Sequence, residues 1–401
     1  MNAGHRLQFS DAYWFQEGPG LRNWQFTSSG IKILNVGNIM PDGSIDLSRT
    51  DRHLSKAEFD SKYSHFGVES GDLVIASSGI SFDEDGLLRT KIAFVGDEHL
   101  PLCMNTSTIR FKAKEDLSDL RYLRHWLQSD DFRRQVSRLV TGSAQLNFGP
   151  GHLKQMAIRL PPLDEQRRIA AILDKADALR QKRKRAIALL AEMQSSLAAR
   201  LAFSNEGREV SIEDVADLQI GFAFKSEGYT SVVSDVRLCR GTNVLPGSVD
   251  WTDLARWSSD NISPYRQYEL NNGDIVVAMD RPWISSGFKV AMIAERDLPA
   301  LLVQRVARIR ARSARDRFYL YHVLRSGEFT RHCRPTETTI PHISPKDFRS
   351  FQFHWPSDAT LDRYALGSER LRESQTAMEN ALAIAEALFA SLQHRAFSGQ
   401  L

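Results

Sequence analysis

Along residues 160–204 the seam positions fall at Ile169, Ile172, Ala176, Leu179, Arg183, Ala186, Leu190, Met193, Leu197 and Leu201. Their steps alternate three and four until the last, the heptad spacing of a coiled-coil seam. Pro161 and Pro162 end whatever precedes them, because neither has a backbone N–H to donate. Asp164 is placed to cap a helix, and a long stretch without Gly or Pro follows it. At 1.5 Å per residue the helix would be roughly 58 Å long. Its other faces are too polar for a core, so it reads as a rod that needs a partner. A second seam runs Leu361, Tyr364, Ser368, Leu371, Gln375, Met378, Leu382, Ala385, Phe389, Leu392 and Ala396. Both rods finish on Ala-Phe-Ser, at 202–204 and 396–398. The pattern predicts that they pair, through Ile172, Leu179, Arg183, Leu190 and Leu197 on the first and Leu371, Met378, Leu382, Phe389 and Leu392 on the second. Arg183, Ser368 and Gln375 interrupt the seam. Such residues either fix register or are tolerated at an open edge.

The remaining chain repeats itself. NIMPDGSID (38–46) returns as NVLPGSVD (243–250), GDLVIA (71–76) as GDIVVA (273–278), and KIAFV (91–95) as KVAMI (289–293). YLRHWLQSDDF (122–132) returns as YLYHVLRSGEF (319–329). Matches in one order mean two copies of one unit, each a globular domain followed by a long helix. Short β-branched runs at 31–36, 72–77, 92–96 and 106–111 read as strands, and 117–136 as a helix on the 3.6 period. The second copy repeats these at 274–279, 290–294, 303–309 and 317–332. The fold class expected is α+β, with two tandem α/β domains (1–159 and 205–355) and two long helices (160–204 and 356–401). A chain that leaves one rod and returns along the other favours an antiparallel coiled coil, with the two domains at opposite ends of a stiff spacer.

Composition narrows the class little. The 401 residues are 25% charged and 42% hydrophobic, with a net charge of +3, which names no partner. Cys103, Cys239 and Cys333 lie far apart without metal-ligand spacing and suit a reducing cytoplasm. No apolar run approaches a membrane span, and the first residues have no apolar signal core.

The LPPLDEQ motif (160–166) opening a rod that ends in AFS, with an echo of both at the C-terminus, resembles the specificity subunits of type I restriction–modification systems. Residues 14–20 (WFQEGPG), 30–32 (GIK), 35–39 (NVGNI) and 221–226 (GFAFKS) are similar to the openings of that family's target recognition domains. One departure is WPSDAT (355–360) in place of a second LPPLDEQ. The resemblance implies a non-catalytic reader of double-stranded DNA, in which each domain reads half of a bipartite asymmetric target. The rods would set the gap and dock two methyltransferase subunits, and endonuclease–translocase subunits would complete the complex. It implies no cofactor in this chain, with S-adenosylmethionine, ATP and Mg held by the partners. A rigid spacer agrees with half-sites about a helical turn, roughly 34 Å, apart.

Two repeat-related loop pairs, 77–89 with 280–287 and 141–147 with 336–342, are candidate reading surfaces, since loops on a rigid scaffold carry recognition. With adjoining residues they contribute Ser78, Arg89 and Lys91; Arg281, Trp283 and Lys289; and Gln145, Asn147, Thr338 and His342. The Arg-rich stretch 304–317 adds Arg308 and Arg310, which alternation places on one face. Arg pairs with phosphate and guanine, and Asn or Gln with adenine. The basic run 180–185 sprays round its helix and reads first as a solvated face, with DNA-backbone or partner contact as alternatives. An enzyme is disfavoured. The sequence has no third glycine after GPG at 18–20 or 149–151, no phosphate loop, and no Asn/Asp-Pro-Pro-aromatic motif to hold a flipped base. The acids at 83–85 read as a solvated loop. A DNA-independent scaffold joining two protein-binding modules is the other class, and salt-dependent duplex binding separates it from a reader.

Overall fold

A computed structural model describes residues 5–79, 81–82, 88–140, 147–204, 206–333 and 342–401. The chain divides into two compact units. The first is Met1–Lys184 with Asn380–Leu401, and the second is Arg185–Glu379.

In the first unit a four-stranded antiparallel sheet runs Tyr13–Glu17, Thr108–Ala113, Leu73–Ala76, Ile92–Phe94. The central run Leu73–Ala76 is buried on both faces, and the two-residue period sorts it between two cores. Leu73 and Ile75 join the helices and the aromatics Phe9, Tyr13, Trp126 and Phe132. Val74 and Ala76 instead meet Leu34, Ile39 and Met104, which belong to or flank a second four-stranded sheet. In that sheet Leu102–Met104 lies parallel to Ile31–Leu34. The second unit repeats the plan, with Ala216–Ile220, Val306–Ala311, Ile275–Ala278 and Val290–Met292 in the same order. Ile275 and Val277 face one core, Val276 and Ala278 the other.

The helix expected over 117–136 is two helices, Leu120–Trp126 and Asp130–Leu139. The Ser129 hydroxyl caps the second by accepting the Phe132 N–H at 3.4 Å. Its counterpart in the second unit breaks likewise, into Arg317–Leu324 and Gly327–His332, where Ser326 accepts the Phe329 N–H at 3.2 Å. A serine there competes with the helical ladder and starts a new one.

The first long helix spans Leu163–Ala202 and the second Asp358–Ser398. Asp164 does not cap the first. Its side chain is 99% exposed and pairs with Arg167, while the Pro162 carbonyl accepts from Glu165 and Gln166. Gln166 is the motif's buried residue: it accepts the Asp119 N–H at 3.0 Å and donates to the Leu117 and Pro161 carbonyls, each at 2.8 Å. The departure at 355–360 has a physical counterpart. Ser357 caps the second helix, accepting Thr360 and Leu361, and Leu361 is buried where Gln166 would stand.

Within each unit the helices run antiparallel. In the first, Ile169, Ala170 and Leu173 share a core with Phe389 and Ala396; Arg180 lies 4.3 Å over the Phe389 ring, and Lys184 pairs with Glu386 at 2.7 Å. In the second, Ala198 and Ala202 share a core with Leu361 and Tyr364.

The seam expected on the first helix is displaced. Leu179 and Leu197 are exposed, as are Leu189 and Met193, whereas Ala170, Leu173, Asp177, Ala198 and Ala202 are buried. Ile169 and Leu173 stay buried near the start of the helix, whereas around Ala198 the small side chains take the contact and the larger ones turn outward. Ile172, Arg183 and Leu190 are half-buried, as are Leu371, Met378, Leu382 and Leu392 on the second helix, where Phe389 is buried. Arg183 donates to the Ala381 carbonyl. No helix among the described residues is long and apolar enough to cross a membrane.

Candidate nucleic-acid interface

In both units the central strand leaves its sheet at one crossing of three segments. In the first, Ser77 donates its N–H to the Ser107 carbonyl at 2.9 Å, and its own carbonyl accepts Phe148 N–H at 3.0 Å. One step on, Gly79 N–H donates to the Asn147 Oδ1 at 3.2 Å. In the second, Met279 N–H donates to Arg305 at 2.8 Å and Met279 accepts Ile343 N–H at 2.7 Å, while Asp280 bridges to His342. Thus the two candidate loops of each copy, separated by more than sixty residues, are stitched together at their bases. A small hairpin rises from each crossing: Ser81–Phe82 with Leu88–Arg89, and Trp283–Ile284 with Gly287–Phe288.

The turn itself differs between copies. Gly79 sits at φ +67° and Arg281, two residues after Met279 as Gly79 is after Ser77, at φ +44°. An L-residue with a Cβ is strained there, and Arg281 is nonetheless exposed. The preceding residue, Asp280, is ion-paired with Arg305, itself at φ +64°. Arg305 lies in the Arg-rich stretch 304–317 but is not among the candidates drawn from it. Aligning the repeats finds it, since it occupies the place of Ser107 in the first copy.

The candidates divide accordingly. Ser78 and Lys91 are half-buried at the first crossing and Asn147 is exposed. At the second, Arg281 and His342 are exposed, and Trp283 is half-buried with its ring 5.6 Å from Phe288. Among the described residues the buried Trp283 Nε1–H has no partner. Gln145 and Thr338 lie outside the described residues, as do the side chain of Arg89 and the acids at 83–85.

Three candidates are corrected. Arg308 is 4% exposed; it pairs with Asp217 at 2.7 Å and donates to the Gln267 and Glu269 carbonyls. Arg110 occupies the same strand position in the first copy, buried and bonded to Gln16, His65 and Asp72. Both arginines bolt the central sheet to the segment beside it, a structural task repeated with the fold. Arg310 is held by the buried Asp274, at 2.7 and 2.8 Å, which raises the guanidinium pKa further. Lys289 is buried against the Gly241 carbonyl, and that burial lowers its pKa. Alternation correctly placed Arg308 and Arg310 on one face, where Arg308 is buried and Arg310, its side chain 34% exposed, is tied to Asp274.

The GPG and GFAF openings also have a structural reason. A Cβ on Gly18 would stand 2.3 Å from the Asn105 carbonyl oxygen, and one on Gly221 2.1 Å from that of Val303. Two backbones cross there, and only glycine fits.

The helices offer a different surface. In the second unit an apolar groove of about 580 Å³ is lined by Leu189, Met193, Leu197, Tyr364 and Leu371. In the first unit Leu179, Ile384 and Leu388 are exposed on helix surfaces.

Residues 32–189 match the type I restriction modification DNA specificity domain. The chain is 35% identical over 179 residues to the type I restriction enzyme EcoAI specificity subunit of Escherichia coli, covering 42% of this chain and 30% of that protein. It is 24% identical over 353 residues to the MjaVIII specificity subunit of Methanocaldococcus jannaschii, covering 80% of each. The match thus spans under a third of the first relative and most of the second. The fold is similar to that of the specificity subunit from M. genitalium (TM-score 0.52, 13% identity, 99% of this chain and 97% of that one). It is similar also to a chain from a study of complex assembly in a type I restriction–modification system (TM-score 0.55, 15% identity, 100% and 99%).

Proposed function

We propose that the chain is a type I restriction–modification specificity subunit that reads a bipartite DNA target, one half per unit, and recruits methyltransferase subunits through its long helices. The observation that carries this reading is the duplicated crossing. The same three segments converge in both copies, yet the exposed residues differ, with Gly79 and Asn147 in one and Arg281 and His342 in the other. A common frame with different tips suits two readers of different half-sites. Arg281 is suited to guanine or phosphate, and the Asn147 amide to adenine. In this reading the chain is a non-catalytic, cytoplasmic subunit. S-adenosylmethionine belongs to the methyltransferase, and ATP and Mg to the endonuclease–translocase subunits.

Exposed apolar side chains on the helices of each unit support docking of one methyltransferase copy per unit, since such patches mark interaction sites. The test is a methylation map. The chain is expressed with the methyltransferase encoded beside it in a methylation-free host, and modified adenines are located on the genome. One bipartite motif with a fixed gap is expected. A soluble complex that modifies nothing would overturn the reading and favour a DNA-independent scaffold.

A further inference from the structure

The repeat is broken at one place where domain and long helix meet. In the first unit Arg124 donates to Asp177 at 2.9 Å, and Asp177, buried in the junction, also accepts Arg180 at 2.8 Å. Arg121, Arg124 and His125 surround Asp174 one turn earlier. This junction supplies its own carboxylates.

Alignment of the repeats puts Tyr321 at the place of Arg124. On the helix, where Leu361, Tyr364 and Ser368 are buried at the places of Gln166, Ile169 and Leu173, Arg372 falls at the place of Asp177. The central acid has become a base. Beside it Arg325, at the place of Gln128, donates to the Tyr321 hydroxyl at 3.2 Å, and Arg372 lies 5.9 Å over the Phe318 ring. Among the described residues no carboxylate pairs with Arg325 or Arg372. Both line a polar pocket of about 380 Å³ with Tyr321 and Gln375. Its two acids have other partners than these arginines: Glu379 accepts Gln375 at 2.9 Å, and Asp297 accepts Trp251 and the Ala294 N–H.

We propose that this pocket is a socket for a carboxylate carried by a partner protein seated on the adjoining helices. The two units then hold their partners unequally. The inference rests on the reading of the long helices as a docking surface. Two observations favour a protein carboxylate. The pocket shares Gln194 and Ser368 with the apolar groove, so one partner reaches both. The guanidinium fork also matches a carboxylate in bidentate geometry.

The test uses the full chain with the methyltransferase subunit encoded beside it, counting bound copies by native mass spectrometry across a titration. Wild type is expected to take two copies, one of them weakened more by salt. The double variant Arg325→Gln, Arg372→Gln should lose affinity for one copy by tenfold or more and leave the other unchanged. Arg372→Asp gives Arg325 an internal carboxylate, as in the first unit. It should lose the same copy while raising Tm, which shows an intact fold. Variants that bind both copies as wild type does would overturn the socket, as would variants that keep both copies but lose DNA affinity, the sign of a phosphate site. Wild type binding no copy would overturn the docking reading as well.

Discussion

The side-chain carbonyl of Gln166, fully buried, accepts the backbone N–H of Asp119 at 3.0 Å. One amide at the start of the long helix thereby fixes the start of the helix Leu120–Trp126, and its NH₂ group holds the Leu117 and Pro161 carbonyls. Gln166→Leu keeps the volume and strands three backbone groups. A loss of about 3 kcal/mol is expected, at roughly 1 kcal/mol per bond, measured as a shift of the urea midpoint with an unchanged methylation motif.

Arg281→Gly separates strain from reading. Glycine fits φ +44° without the Cβ penalty, as Gly79 does in the first copy, so stability should rise by about 1 kcal/mol. The half-site read by the second unit should meanwhile relax at one position. Methylation mapping and thermal melts on the same variant check both signs.

Arg310→Ala should do the reverse. It leaves Asp274, 2% exposed, as an unpaired buried carboxylate, a cost of about 3 kcal/mol. The recognised sequence should not change. A new motif would restore Arg310 to the reading set.

Acid should weaken the second unit through His322. Burial depresses its imidazole from 6.5 to about 3, where it shares a 2.7 Å hydrogen bond with the Tyr364 hydroxyl. Between those values the unfolded chain takes a proton that the folded chain refuses. Stability from this group is therefore full above pH 6.5 and falls below it by about 1.4 kcal/mol per pH unit. His322→Gln cannot titrate, so the difference between variant and wild type in urea midpoint across pH 7 to 4.5 isolates the effect.

Met193→Glu tests the groove. The side chain is 66% exposed, so Tm should move by less than about 0.5 kcal/mol equivalent, while copurification of the methyltransferase falls at least tenfold.

Much of this was legible because burial leaves a period. Leu73–Ala76 and Ile275–Ala278 are apolar at every position, as strands covered on both faces must be. The two rods show in their heptads. The displaced seam was not legible, because heptad counting weighs Leu197 and Ala198 alike, whereas close packing selects the alanine and turns the leucine out. Arg308 misled for a related reason: alternation assigns a face but not what covers it. Its twin Arg110, doing the same work in a domain with different tips, was the available clue. The convergence of 77–79 with 147–148 depends on long-range pairing, which no local pattern encodes.

The core of the first unit contains Phe389 and Ala396, and Arg159 there donates to the Ser398 carbonyl at 2.8 Å. About 195 residues of the other unit separate Lys184 from Asn380. On a ribosome adding 5–20 residues per second, that is a delay of roughly 10–40 s. The domain begun first is therefore finished only after the second has been made. It waits with an open helical face until residues 380–401 emerge, and any chaperone or neighbouring nascent chain has that interval in which to reach it.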